Sequence, residues 1–242
     1  MKNSIPALII AIAFVAGVAL AASAYQNRNA AEDVIRVTGL GKSDFESDLI
    51  VWNGSFQRQE FNLEEAYSLL KMDQETVRKY LRAEGIHDTE LVFSAVDISK
   101  NFDYYYDENG NRRSEFKGFV LNQSVNIESK AVERVEKVSR SVTELIDKGV
   151  EFYSRAPQYY YTRLSELKIE MIKAATADAR LRAEQIASKA NAKLGTLKEA
   201  NMGVFQIIGQ NSNEDYSWGG TFNTTDKMKT ATITMRLEFG ID

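Results

Sequence analysis

Residues 115–149 read EFKGFVLNQSVNIESKAVERVEKVSRSVTELIDKG, and this stretch decides the fold. In its first half, apolar side chains share one face with the period of two that is typical of a half-buried strand. That face carries Phe119, Leu121, Val125 and Ile127. The spacing then changes to three and four residues, which predicts an amphipathic helix over 131–148, ended by Gly149. Its stripe consists of Val132, Val135, Val138, Val142 and Leu145.

The segments around this stretch complete a βαββαβ order. Residues 48–59 are rich in strand formers, and a helix over 62–85 begins at Asn62, where Glu65 completes a capping-box-like pair. The stripe of that helix is Leu63, Ala66, Leu70, Val77 and Leu81. Residues 90–102 and 150–156 read as strands, and 103–113 read as a polar loop with the hairpin signal Asn109-Gly110. We therefore predict an α+β fold with a ferredoxin-like antiparallel sheet and helices packed on one face.

Further elements flank this core. Residues 33–41 alternate as a strand, which we expect to stop at Gly39 and Gly41. A long alanine-rich helix is predicted over 164–194, capped by Gly195, and small side chains let such a helix lie close to its neighbour. Its stripe is Leu164, Leu167, Met171, Ala175, Ala179, Ala183, Ile186, Ala190 and Leu194. A strand near 196–208, a polar loop over 209–226 and a last strand over 229–239 follow.

The N-terminal segment has the properties of an export or anchor signal. Residues 5–24 carry no charge, follow Lys2, and are long enough as a helix to cross a bilayer core. Ala22-Ser23-Ala24 is a site at which signal peptidase would cut before Tyr25. Residues 1–24 are therefore either a cleaved signal peptide or a transmembrane anchor, 25–32 a short linker, and 33–242 an α+β domain. In both cases we expect the domain to lie outside the cytoplasm.

The composition of the chain argues against several kinds of partner and catalytic group. The 242-residue chain has a net charge of −4, which argues against a nucleic-acid partner. It contains no cysteine, so disulfides, thiolate metal sites and a cysteine nucleophile are impossible. Its single histidine, His87, has no motif around it, and we predict a solvated loop position.

Two partial motifs, for a phosphate-binding loop and for a calcium loop, are incomplete. Gly41-Lys42-Ser43 resembles the end of a phosphate-binding loop, but Arg36 stands where the first glycine is required. The acidic loop that starts at Asp103 has Tyr105 at its third position and Ser114 at its twelfth, which does not fit a calcium loop. We therefore predict no catalytic residue, no cofactor and no metal, and a protein that is not an enzyme.

Two tyrosine runs are the candidate interaction surface. They are Tyr104, Tyr105 and Tyr106, and Tyr159, Tyr160 and Tyr161. Tyrosine is enriched at interfaces because its ring buries area while its hydroxyl keeps a partner. These runs would serve a protein contact or a small ligand, whereas ordinary strand-edge tyrosines are the alternative.

Several short motifs occur together in a fixed order along the chain. They are Val37-Thr38-Gly39-Leu40-Gly41, Gly85-Ile86-His87-Asp88, Gly118-Phe119, and the run from Ala177-Asp178-Ala179-Arg180 through Ala183-Glu184 to Leu194-Gly195. From about 33 to 239 the chain thus resembles the SIMPL-domain family. The resemblance implies an exported envelope or periplasmic protein, with relatives in oxidative-stress defence or among outer-membrane antigens, and with a ring-like homo-oligomer in at least one case. It supplies no catalytic residues.

Together these observations predict a non-enzymatic cell-envelope protein that acts through self-association or partner binding. We expect a homo-oligomer, an envelope protein as a further partner, and membrane attachment through residues 5–24 if that segment is not cleaved. The alternative is an envelope binding module that holds a glycan or peptide through its tyrosine-rich loops.

Overall fold

The computed structural model describes residues 12–23, 33–215 and 217–241. Residues 12–23 form a helix, α1. Within the described ranges, no helix combines the length and apolar character needed to cross a membrane. The proposed segment 5–24 lies partly outside the described residues, and the linker 25–32 lies wholly outside them.

The chain divides into two compact units. The larger comprises Leu40–Ala175 and Gly203–Thr234, and the smaller comprises Met1–Gly39, Thr176–Met202 and Met235–Asp242. The strands are β1 (Val34–Glu46), β2 (Leu49–Glu60), β3 (Leu91–Phe93), β4 (Asp97–Tyr106), β5 (Arg112–Ser129), β6 (Phe152–Ser154), β7 (Gln158–Tyr160), β8 (Leu194–Met202), β9 (Gln206–Gly209) and β10 (Met228–Ile241). The helices are α2 (Leu63–Ala83), α3 (Val132–Ser141) and α4 (Leu164–Lys189), with 3-10 turns at Asp88–Glu90 and Val142–Lys148.

In the larger unit the sheet has the strand order β3-β5-β2-β6, and every pair is antiparallel. β4 continues along β5 where β3 stops, so the second strand of the predicted βαββαβ order is present in two pieces. β7 pairs with the first residues of β2. The mixed α+β class with antiparallel sheets is confirmed.

One core joins α2 and α3 to the sheet. All five predicted apolar residues of the α3 segment are buried, although the segment turns from α to 3-10 geometry at Val142. In α2 the predicted stripe is buried except for Leu63, which is exposed in the first turn. Asn62 caps this helix by accepting from the backbone N–H groups of Glu64 and Glu65. Gly85 ends it with φ of +82°, a conformation that favours glycine.

The first strand does not stop at its glycines, which corrects the prediction. β1 continues to Glu46, and Gly41 lies within it. A Cβ atom at Gly41 would overlap the backbone carbonyl oxygen of Met171 in α4. The glycine therefore permits a close backbone approach and does not form a turn.

Two further predictions need correction. Residues 103–106 and 112–113 belong to strands, so the predicted polar loop shrinks to 107–111, with Gly110 at φ of +77°. The alanine-rich helix ends at Lys189, because Asn191 adopts a left-handed conformation and Ala192 N–H donates to the Ala187 carbonyl. Gly195 lies in β8 and caps nothing, and Ala187, not Ile186, is buried.

The second sheet has the order β1-β10-β8. In the smaller unit, β8 pairs antiparallel with Met235–Ile241 of β10. In the larger unit, β9 pairs with Lys229–Thr232. The predicted strand near 196–208 is thus two strands, separated by 203–205.

Candidate functional site

One exposed part of the larger unit is a two-stranded ribbon, which we call the aromatic ribbon: β4 with residues 112–122 of β5. All ten residues of β4 are exposed. Among the described residues, β4 pairs only with β5, so its second edge presents unpaired backbone donors and acceptors. Such an edge is a template for another strand unless the chain protects it.

A bulge interrupts the ribbon. Asn101 faces Gly118 and Phe102 faces Phe116, so Lys117 is the extra residue in β5. Gly118 has φ of +114°, and a Cβ there would lie 2.6 Å from the carbonyl oxygen of Glu60. Only glycine fits this position.

An aromatic cluster lies on one face of the ribbon. The Phe116 ring lies 5.5 Å from that of Phe102, 5.3 Å from that of Phe119 and 6.3 Å from that of Phe61. On β4, Ile98 stands opposite buried Leu121, and Phe102, Tyr104 and Tyr106 follow on the same face by alternation. This face therefore continues the side of the sheet that α2 and α3 cover elsewhere.

The first tyrosine run lies at the distal end of the ribbon. Tyr104, Tyr105 and Tyr106 are 58%, 51% and 74% exposed, and the Arg112 guanidinium lies 4.4 Å from the centre of the Tyr104 ring. The turn beyond them is ordered by Asp107, which accepts from the N–H groups of Asn109 and Asn111 and pairs with Arg113. The Asn111 N–H and then Arg113 lower the pKa of Asp107.

The second run has a different environment. Tyr159 is 8% exposed in β7, opposite Ile50, and burial raises its pKa. Tyr160 and Tyr161 are partly buried, and the Tyr161 ring lies 4.8 Å from that of Phe45. β7 pairs with the start of β2, whereas the ribbon lies beyond the other end of β2, about 33 Å away along ten residues. The structure does not bring the six tyrosines together.

The sequence of the α+β region matches the model of a known family. The sequence profile of SIMPL, described as a protein of unknown function (DUF541), matches residues 35–237. The chain belongs to the SIMPL family. The resemblance seen in the sequence is thereby confirmed over nearly the whole α+β region. No curated protein matches the chain.

The SIMPL chain also contains a buried lysine that sequence reasoning missed. Lys229 is 1% exposed, and its Nζ donates to the carbonyl oxygens of Tyr159 at 2.5 Å and Asn223 at 2.7 Å. Burial lowers the pKa of Lys229 to about 8, although the negative charges of Asp226 and Glu214 act in the opposite direction. Lys229 thus fastens the 210–227 loop to β7. Its position at the edge of an apolar strand gives no sequence signal of burial.

Buried Asn223 is the centre of a hydrogen-bonded network in that loop. The Asn223 amide nitrogen donates to Glu214 at 2.5 Å and to Asp226 at 2.8 Å. The Asn223 side-chain oxygen accepts from the N–H groups of Thr225 and Asp226. These bonds give the loop a defined shape on β10.

Three carboxylates that could have formed a catalytic cluster lie apart. Asp97 and Asp103 lie about 20 Å apart along β4, and Glu128 faces Val51 in β2, so these carboxylates do not converge. Lys42 and Ser43 lie within β1, not in a loop that opens a helix. In the ranges that the structure describes, no group of three or more histidine, aspartate or glutamate side chains is arranged to hold a metal ion.

Proposed function

We propose that this SIMPL protein is a non-enzymatic cell-envelope protein that acts by self-association or by binding an envelope partner through the aromatic ribbon. The observation that supports it is the exposure of all ten residues of β4, whose outer edge pairs with no other strand among the described residues. Strand addition to such an edge supplies main-chain hydrogen bonds, and exposed rings add buried area.

The envelope location rests on the sequence. Residues 1–24 combine Lys2, an uncharged segment and Ala22-Ser23-Ala24, as signal peptides and N-terminal anchors do. The proposal that the chain is not an enzyme rests on the lack of cysteine and on a single histidine, His87, that has no catalytic motif around it. The family resemblance suggests oxidative-stress defence as the physiological setting.

The alternative, a glycan or peptide module built on the tyrosine runs, has less support. Tyr104–Tyr106 lie on an open ribbon and not in a concave site. Tyr159 borders a cleft of about 390 Å³ but is itself buried, so its ring offers little surface to a ligand.

Light scattering tests the proposal. Full-length protein extracted in detergent, and a shorter form that starts at Gln26, should both exceed the monomer mass in a discrete assembly. The double variant Tyr104→Ser/Tyr106→Ser should fall to the monomer mass. Tyr67→Ser/Tyr153→Ser removes two other exposed tyrosines and should not change the mass. A monomer at every concentration, with no partner captured by crosslinking in the envelope, would overturn the proposal.

A further inference from the structure

A second surface of the larger unit has the features of a ligand site. A groove of about 670 Å³ lies over β10, within the range of small-molecule sites. Leu40 and Val204 contribute to its apolar walls, Thr232 and Thr234 belong to its base, and Trp218 lies at its rim. None of the side chains that line it carries a charge.

The side chain of Trp218 is exposed to solvent, while hydrogen bonds fix the backbone beside it. Its side chain is 100% exposed, which is unfavourable for an indole unless a partner covers it. The preceding residue, Ser217, is fixed because its carbonyl accepts from the Gln206 side chain at 2.6 Å and also from Gly220 N–H at 3.1 Å. Gly220 follows with φ of +94°. The loop therefore presents the indole at the rim while its own backbone stays anchored.

The base of the groove carries hydroxyl groups. Thr232 is only 9% exposed, and neither its hydroxyl nor that of Thr234 has a hydrogen-bond partner among the described residues. The two residues are two positions apart on one strand, so they face the same side, about 7 Å apart. Gly203 leaves room for the Thr234 hydroxyl, because a Cβ there would overlap it.

These features select the ligand class. An alkyl chain would match the walls, but it would bury the threonine hydroxyls without a partner. A charged ligand would find no counter-charge. A sugar ring offers an apolar C–H face to the indole and hydroxyls to the two threonines. We infer that the groove binds a neutral saccharide, clamped between Trp218 and the base at Thr232. This inference uses a different surface from the aromatic ribbon and does not depend on self-association.

The two tryptophans of the chain make the test direct. Trp52 is fully buried and donates to Ser154 Oγ at 3.0 Å, whereas Trp218 is fully exposed. Iodide should therefore quench Trp218 and not Trp52. The full chain is titrated with neutral tetrasaccharides of glucose, galactose, mannose and N-acetylglucosamine, and with decanol as the apolar probe. At least one saccharide should protect Trp218 from iodide and shift its emission to shorter wavelength, and decanol should not.

Variants distinguish binding in the groove from stacking of a saccharide on the exposed Trp218 ring alone. Thr232→Val removes one hydroxyl at constant shape and should weaken saccharide binding about tenfold. Thr143→Val makes the same change at an exposed position and should not alter it. Trp52→Phe should keep the fluorescence response to saccharide. Trp218→Ala should lose it, so saccharide binding by that variant is followed by calorimetry. The inference is overturned if no saccharide in the set protects Trp218, if decanol alone protects it, or if Thr232→Val binds as tightly as the unchanged chain.

Discussion

At the scale of single residues, Gly41 shows how a strand glycine sets the distance between backbones. Replacing it with alanine would place a Cβ against the Met171 carbonyl oxygen of α4, which cannot move without shifting the helix. We expect Gly41→Ala to lower the free energy of unfolding by about 1–3 kcal/mol. Urea unfolding measures this. Gly219→Ala is the matched control, because nothing lies near its Cβ position. Equal stability of the two variants would contradict the close approach of β1 to α4 at Gly41 and Met171.

Lys229 should give the protein a distinct pH dependence. Folding lowers the pKa of this group to about 8, from about 10.4 in an unfolded chain. Between these values the unfolded state binds more protons, so Lys229 makes stability rise with pH, by at most about 1.4 kcal/mol per pH unit. Its destabilising effect is complete below about pH 8 and is absent above about 10.4.

Lys229→Met isolates this contribution, because all other titrating groups are shared. Urea unfolding at pH 7.5 and 9.5 should show the unchanged chain gaining stability relative to Lys229→Met as the pH rises. Lys193→Met, at an exposed position, should follow the pH profile of the unchanged chain. Parallel profiles for Lys229→Met and the unchanged chain would show that the buried ammonium does not titrate in this range.

The burial of single residues was predictable where apolar side chains recur at a regular spacing. It was not predictable where the groups around a residue come from distant parts of the chain. The five apolar residues of the α3 segment are predictable because their spacing alone defines a buried stripe. The burial of Lys229 depends on carbonyl groups of Tyr159 and Asn223, which no local pattern reveals. The role of Gly41 depends in the same way on a helix 130 residues further along the chain.

At the scale of elements, α4 depends on small side chains. Ala175, Ala179, Ala183 and Ala187 are all buried. We expect Ala183→Leu to cost about 1–3 kcal/mol, or more, because the added carbons have no space. The same change at exposed Ala177 should stay within about 0.5 kcal/mol. Thermal or urea unfolding of the pair tests this, and equal costs would show that the alanine face is not closely packed.

The aromatic ribbon was the element least predictable from sequence. Residues 103–106 and 112–113 are polar or aromatic on both faces, so they show no period of two, and their sequence predicts a loop. Tyrosine and phenylalanine nevertheless favour extended backbone, and the Asn109-Gly110 turn lets β4 and β5 continue pairing to Tyr106 and Arg112. Exposure on both faces removed the signal that buried strands provide.

At the scale of the whole molecule, element order was predictable and distances were not. The period change after Ser129 and the helix signals at Asn62 and Gly149 are local, and they suffice for the βαββαβ order. The separation of the two tyrosine runs follows from the register of β7 and β4 on their neighbours. Register depends on pairing between distant strands, so a candidate site assembled from sequence alone combined surfaces that lie apart.

The proposed export of the chain gives a whole-molecule prediction. Because the chain has no cysteine, a single introduced cysteine is a unique label. In a bacterial host, Thr143→Cys should react with a membrane-impermeant maleimide in intact spheroplasts. Asn3→Cys should react only after lysis if the anchor is retained, and should be absent from the mature protein if it is cleaved. Labelling of Thr143→Cys only after lysis would contradict export.

The bulge at Lys117 also limits how the length of the ribbon can vary. Side chains alternate between faces, so the single extra residue decides which set shares a face with Phe119. If β5 paired with β4 without the bulge, Lys117 and Glu115 would stand opposite Phe102 and Tyr104, in the positions that Phe116 and Ser114 now occupy. Natural or engineered insertions and deletions between this point and the turn should therefore keep the aromatic surface when they add or remove residues in pairs, and should invert it when they come singly.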